Sequence, residues 1–493
     1  MKDKILQTVT PESVGISSDT ILNFIETLEK RGVNMHSFIM LRHGKICAEG
    51  YYENYYEEKL QRMYSSSKTI TSIAVGLMAD EGKIHLDDKI ADHFPEFMPE
   101  NPHPYVLQTK IEDMLRMSVP FSWAYDSTGA DHWVKGFLSS IPTHPPGTVF
   151  RYETSSITTL GSLVEKLSGK TLLEYLREKL APMEISSHAT ALKCPEGYSW
   201  GGSGILVTLR DMAKFALLML NKGKFNGQQL LSEEYASKAS SRQIFNDVYS
   251  EGSRRNKGYG YQIWILDDGV FAFCGLYSQL AICCPKKDFI LCITCDNSGS
   301  QIKDRLIYEE LLEKIVPGIK DYLEENPEAC AKLRDKCANL KLATEPGEKD
   351  SPTAHKINGA EYIFQESDMD ISSVKFEFSG DEGCMKYTTS GGEKEIHFGF
   401  GKNVIYTFPE THYFGETILF PANKEPRVYS SAAWADENTL VIRTHLMDEY
   451  LGILNMTFSF KGDEVGVIMH KDAEFYFDEY QGYAGGKRRG TEK

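Results

Sequence analysis

Nothing in this 493-residue chain approaches the roughly 18 consecutive apolar residues that a membrane-spanning helix requires, so no span is expected. Positive charge is in deficit as well: 54 Lys and Arg stand against 70 Asp and Glu, a formal net charge of −16. Nucleic acid and anionic membrane both demand a basic footprint, so neither is expected as a partner. The opening residues, Met1-Lys2-Asp3-Lys4-Ile5-Leu6-Gln7, hold no apolar core and no small-residue cleavage site. Metal-ligand spacing is missing too. The ten cysteines are scattered, and the Cys-x-x-Cys at Cys292-Ile293-Thr294-Cys295 has a β-branched interior that reads as strand. His85, His93 and His103 fall in loops without ligand spacing and read as surface or capping residues. The expectation is a cytoplasmic protein with reduced, buried cysteines and no metal or cofactor.

What is present is ample. A chain of this length holds two or three domains. Ser18 to Lys30 reads as a helix, and Ser37–Arg42, His43-Gly44-Lys45 and Ile46–Tyr52 as a β-hairpin. From Ile84 to about Lys257 the pattern is helix and loop, with a short helix capped by Thr109 and another opened by a capping box at Thr208-Leu209-Arg210-Asp211. Strand signals return between Tyr261 and Cys295, followed by a helix from Ile302 to Ile315. Sheet-forming segments thus bracket a helical insertion, which predicts an α/β domain over residues 1–316 with an all-α region at about 84–257. Residues 317–345 read as a helical connector. From 346 to 481, short alternating segments such as Val374–Phe378 and Ile396–Phe400 recur at close spacing, predicting an all-β barrel or sandwich. Residues 482–493, rich in Gly, Lys and Arg, read as a disordered tail.

Two stretches carry chemistry. Met63-Tyr64-Ser65-Ser66-Ser67-Lys68 sets a serine and a lysine three residues apart at the start of a helix whose apolar positions are Ile70, Ile73, Leu77 and Met78. That spacing puts Ser65 and Lys68 on one face, where a lysine can serve a serine as base. Spacing alone is weak, because Ser-x-x-Lys recurs at Ser300–Lys303 and Ser372–Lys375. The second stretch is Pro145-Pro146-Gly147-Thr148-Val149-Phe150-Arg151-Tyr152-Glu153-Thr154, a rigid turn that delivers Tyr152 to a loop before the next helix. The cluster Gly201-Gly202-Ser203-Gly204 lacks a following lysine for a phosphate loop and reads as lining the cleft or letting chains pass closely. Trp123, Tyr125, Trp133 and Trp200 could wall an apolar pocket or simply pack.

Taken in order, Ser-x-x-Lys at a helix start, Pro-Gly-Thr-x-Phe-x-Tyr before a helix, and a late strand–turn–strand resemble the serine β-lactamase and penicillin-binding-protein superfamily. The resemblance is to the class C β-lactamase-related esterases and peptidases, and it runs from about Thr10 to Ile315. Thr10-Pro11-Glu12-Ser13-Val14-Gly15, Leu41-Arg42-His43-Gly44-Lys45, Leu86-Asp87-Asp88-Lys89-Ile90 and Asn221-Lys222-Gly223 are similar to the family's landmarks. It implies an antiparallel sheet with flanking helices, an acyl-forming Ser65, and Lys68 with Tyr152 sharing base and acid duties. It also implies an oxyanion hole from the backbone amides of Ser65 and Leu276, with Thr154, Phe273, Cys274 and Gly275 along the substrate.

The departures from that family pattern bear on specificity. Phe273-Cys274-Gly275 stands where the family has Lys-Thr-Gly or His-x-Gly, and Tyr152-Glu153-Thr154 replaces Tyr-x-Asn. Arg116-Met117-Ser118-Val119-Pro120 replaces His-Thr-Ser-Gly. Losing a charge-assisted contact to a substrate carboxylate costs roughly 1.5–3 kcal/mol, so a neutral Phe273 favours an uncharged acyl group. The expectation is a serine hydrolase acting on a small-molecule ester or amide, including D-amino-acid amides or peptides. Three alternatives stay open: an acyltransferase with the same intermediate, a non-catalytic acyl-binding or sensor protein, and a β-lactamase or D-alanyl carboxypeptidase.

Overall fold

A computed structural model of the chain describes residues 5–121, 132–246, 255–409, 426–474 and 476–490. The described residues divide into two compact units, one built from residues up to 297 together with 301–341, the other from 298–300 and from 342 onward. Among them, no helix is long and apolar enough to cross a membrane.

The first unit is organised by a six-stranded antiparallel sheet. Its order is Lys45–Tyr51, Met35–Arg42, Phe289–Cys295, Gln279–Cys284, Phe271–Gly275 and Trp264–Ile265. The pairing of Met35–Arg42 with Phe289–Cys295 is the join that encloses the long insertion. Every residue of both strands is buried, the polar His36, Ser37, Arg42 and Thr294 included, so neither strand shows the alternation of a half-wet sheet. His43 and Gly44 both take positive φ (53° and 68°), the two-residue hairpin turn whose twist matches its strands.

Just ahead of the insertion the helix Ser67–Asp80 is the central post. The apolar pattern predicted one buried face, yet every residue from Ser67 to Met78 is buried. Its polar side is satisfied by loops instead of water: Thr69 Oγ1 donates to Gln262 O (2.7 Å), Thr71 Oγ1 to Gly201 O (2.8 Å) and Ser72 Oγ to Tyr261 O (3.0 Å). Thr208 and Asp211 form the expected capping box. The Thr109 cap is corrected: Lys110 occupies the N-cap, its amide bonded to the Asp113 carboxylate, while Thr109 Oγ1 bonds back to Tyr105 O. The segment 317–345 is helical at Pro327–Ala338, and Lys336 reaches Glu29 at 2.6 Å within the first unit.

The second unit is a closed barrel of nine strands. Around the ring run Gly392–Phe400, Glu382–Thr389, Ser373–Ser379, Glu361–Phe364, Gly482–Arg488, Glu464–Ala473, Gly452–Lys461, Thr439–Leu446 and Arg427–Asp436. The last closes on the first through a short parallel pairing, Gly399↔Ser431 and Phe400↔Ala432. Val404–Thr407 pairs with Arg427–Asp436 as a tenth strand. The expectation of a disordered tail over 482–493 is overturned for 482–488, while residues 491–493 lie outside the described residues. Gly482–Arg488 is a barrel strand paired on both sides, and its glycines suit it to that place: a Cβ on Gly486 would stand 2.5 Å from the Phe364 ring. Gly486→Val is therefore expected to destabilise the barrel by about 1–3 kcal/mol through overpacking, read as a lowered Tm; an unchanged Tm would show that the strand is not packed there.

Candidate active site

The nucleophile candidate sits where a short 3-10 turn, Tyr64–Ser66, feeds the helix Ser67–Asp80. Tyr64 takes a left-handed φ of 46°, a conformation that costs a bulky residue about 1–3 kcal/mol unless its surroundings enforce it. Here they do. The Arg62 guanidinium lies 4.1 Å from the Tyr64 ring centroid and the Tyr277 ring meets it edge-on at 5.6 Å. Arg62 also donates to Ser203 O and Ser203 Oγ (2.9 Å each), tying this turn to the glycine cluster.

Lys68 is buried, with 1% of its surface exposed. Its Nζ reaches Ser65 Oγ at 3.0 Å and donates to Gly202 O at 2.7 Å. The same nitrogen stands 5.1 Å from the centroid of the Tyr152 ring. The structure thus brings Ser65, Lys68 and Tyr152 together, with Lys68 in the middle.

Gly202 belongs to the glycine cluster that the sequence marked as lining the cleft or letting chains pass closely, and it meets Lys68 through its carbonyl. A Cβ there would stand 2.5 Å from Thr154 Cγ2 and 2.6 Å from Thr158 Oγ1, so only glycine lets its carbonyl face Lys68. Thr154 itself is the N-cap of the helix Ser155–Ser168, and its methyl group packs beside Gly202. Glu153 fastens the helix start by accepting from Ser156 N (3.1 Å) and from Ser155 Oγ.

Tyr152 is positioned from two sides. Arg151 N donates to Met117 O (2.8 Å) and Gly147 N to Ser118 O (2.7 Å), so the reshaped Arg116–Pro120 loop carries the tyrosine segment. The Tyr152 ring stacks on Trp264 (5.3 Å between centroids, 28°), and Tyr259 meets both rings edge-on. Burial, with the neighbouring Tyr152, pushes the Tyr259 hydroxyl well above the usual phenol range, leaving Tyr259 as a neutral wall.

The third-motif strand Phe271–Gly275 runs beside the nucleophile turn. A Cβ on Gly275 would collide with Met63 O, and Ser66 Oγ donates to Gln279 O (2.7 Å). Leu276 follows at the hairpin tip, 44% exposed, with Tyr277 and Ser278 both at positive φ. The side chains before it are buried. Phe273 is 1% exposed and belongs to the hydrophobic core. Cys274 is buried against Tyr308 OH (3.1 Å), and burial pushes its thiol up to about 11. Neither side chain is offered to the space in front of Ser65 as an exposed group. Arg255 lies beside Cys274, and Asp304 holds it at 3.2 Å.

Trp133 and Trp200 pack edge-on at 5.4 Å in the core, while Trp123 and Tyr125 lie outside the described residues. His103 caps the helix Pro104–Gln108 by accepting from Tyr105 N. No His, Cys, Asp or Glu side chains converge around Ser65 as metal ligands, among the described residues.

A profile of the Beta-lactamase family matches residues 23–312. Among curated proteins, the 6-aminohexanoate-dimer hydrolase of Paenarthrobacter ureafaciens is 23% identical over 316 residues, 57% of this chain and 78% of that protein. Among solved structures, a candidate 6-aminohexanoate-dimer hydrolase from Bacillus anthracis superposes with a TM-score of 0.52 at 20% identity, covering 62% of this chain and 86% of its own. EstCE1, a hydrolase with promiscuous acyltransferase activity, does so with a TM-score of 0.50 at 14% identity, covering 60% of this chain and 99% of its own.

Gly202→Ala is expected to drive the Gly202 carbonyl from Lys68 and lower covalent labelling of Ser65 by at least about tenfold, the scale of one lost charge-assisted hydrogen bond. Labelling at the wild-type rate in a folded variant would remove that carbonyl from the site.

Proposed function

The chain belongs to the Beta-lactamase family, and from that footing we propose that it is a serine hydrolase that forms an acyl-enzyme on Ser65 from an ester or amide. The observation that carries this reading is the contact of Lys68 Nζ with Ser65 Oγ at 3.0 Å beside the Tyr152 ring. In the proposed sequence, the Lys68–Tyr152 pair takes the Ser65 proton as Oγ bonds to the acyl carbon. The oxyanion is met by the amides of Ser65 and Leu276. The pair then returns the proton to the leaving alcohol or amine, and water, deprotonated in turn, releases the acid and restores Ser65. No step of this sequence calls for a metal or a cofactor.

An uncharged acyl group, or a D-amino-acid amide or peptide, suits the site better than a β-lactam carboxylate. Phe273 supplies no cation and lies in the core, and the Arg255 charge beside Cys274 is matched by Asp304. Transacylation is a second reading, because an alcohol or amine can replace water at the same intermediate; a structural neighbour bears that activity in its name. Free thiols at all ten cysteines support a reducing, cytoplasmic setting.

A fluorophosphonate probe and p-nitrophenyl acyl esters test the reading. Wild type is expected to label and turn over, Ser65→Ala to do neither, and Lys68→Met and Tyr152→Phe each to lose about 10²–10⁴-fold in kcat/KM. Equal labelling of wild type and Ser65→Ala would end the assignment. For specificity, nitrocefin turnover is expected to be slow beside that of the esters; rapid turnover would refute the argument from Phe273.

A further inference from the structure

The barrel carries a cluster of side chains that hydrolysis at Ser65 does not use. Cys384 on Glu382–Thr389 stands directly opposite His397 on Gly392–Phe400, and Glu395 precedes His397 by two residues on the same strand. Residues two apart in a strand share a face, and directly opposed residues are nearest neighbours across the ladder. All three therefore project from one side. Cys384 alternates with buried Gly383 and Met385, and His397 with buried Ile396 and Phe398, so that side is the outer one. The thiol, an imidazole nitrogen and a carboxylate oxygen lie within 4.8 Å of one another, and His397 Nε2 already meets Glu395 Oε2 at 3.3 Å.

We propose that Cys384, Glu395 and His397 form a zinc-binding site on the outer face of the barrel, three protein ligands with water in the fourth position. The donor set argues for zinc. Thiolate, imidazole and carboxylate together are the ligands of tetrahedral zinc, at about 2.0–2.3 Å from the metal, whereas calcium and magnesium select oxygen alone. At those bond lengths tetrahedral ligand atoms stand roughly 3.3–3.8 Å apart, so contraction by about 1 Å through side-chain rotation completes the geometry. The two strands are held in register by the ladder, and the Tyr406 ring meets the His397 ring edge-on at 5.4 Å, limiting its freedom to turn. Lys386 is 3.7 Å from Glu395 but closer to Glu377, at 2.9 Å, which holds it when the metal takes the Glu395 carboxylate. The site is reachable, since His397 and Glu395 are 42% and 47% exposed. Motif spacing hides it, because the ligands meet across a ladder rather than within one short segment.

Binding exchanges the thiol proton for a zinc–sulfur bond. A free thiol is mostly protonated at neutral pH and the zinc ligand is the thiolate, so about one proton leaves per zinc bound. The test uses the full chain, stripped with a chelator and titrated with Zn²⁺ and separately with Co²⁺. One equivalent is expected to bind at micromolar affinity or tighter, with heats that vary with buffer ionisation as one released proton requires. Co²⁺ is expected to show a sulfur-to-metal charge-transfer band that Cys384→Ser abolishes. His397→Gln is expected to weaken Zn²⁺ at least tenfold and to shift the barrel's Tm less on zinc addition. The proposal is overturned by the absence of stoichiometric binding, by a charge-transfer band that persists in Cys384→Ser, or by wild-type affinity in a folded His397→Gln.

Discussion

The first unit depends on the burial of one lysine. An amine withdrawn from water must find acceptors, and Lys68 finds Ser65 Oγ and the Gly202 carbonyl. Each acceptor imposes a further condition. Ser65 must sit on the turn that opens the Ser67–Asp80 helix, and the Gly201–Gly204 segment must pass close enough to offer a carbonyl, which excludes a Cβ at Gly202. Arg62 links the two through Ser203 and the Tyr64 ring. The left-handed Tyr64 is the conformational cost of that linkage, and the packing on both sides of its ring sustains it.

Close approach of backbones recurs throughout the site. Gly275 lies against Met63 O, Gly202 against Thr154 and Gly201 against Thr71. Where a glycine lets a neighbour pass this close, its backbone can make the contact, as the Gly202 carbonyl does with Lys68, and side chains nearby are free to do other things. Phe273 and Cys274 illustrate this: the motif position is kept as backbone while one side chain joins the core and the other a buried polar cluster.

Much of this was legible in the residues. Ser65, Lys68 and Tyr152 stood out by spacing and order, and the strands of both units by alternation or unbroken apolar runs. What was hidden has physical reasons. The polar face of Ser67–Asp80 looks solvent-facing in sequence, but Thr69, Thr71 and Ser72 are paid for by carbonyls from residues well over a hundred positions away, which no local pattern records. Gly202 offers only a backbone oxygen, and its sequence signal is the absence of a side chain. Residues 482–488 were misread because glycine content is shared by mobile tails and by strands crowded by an aromatic neighbour; Phe364 decides between them only in three dimensions. Thr109 was displaced as a cap because Asp113 reaches the Lys110 amide first.

The barrel's strand count has a consequence of parity. Nine strands that reverse direction at each of eight antiparallel neighbours leave the first and last pointing the same way, so an odd ring can close only in parallel. That closure spans two residue pairs, Gly399↔Ser431 and Phe400↔Ala432, where neighbouring ladders run to ten. Val404–Thr407, which follows Phe400 after three residues, extends the closure by pairing with Ser430, Tyr429, Val428 and Arg427 of the same strand, so the seam is fastened both in parallel and in antiparallel.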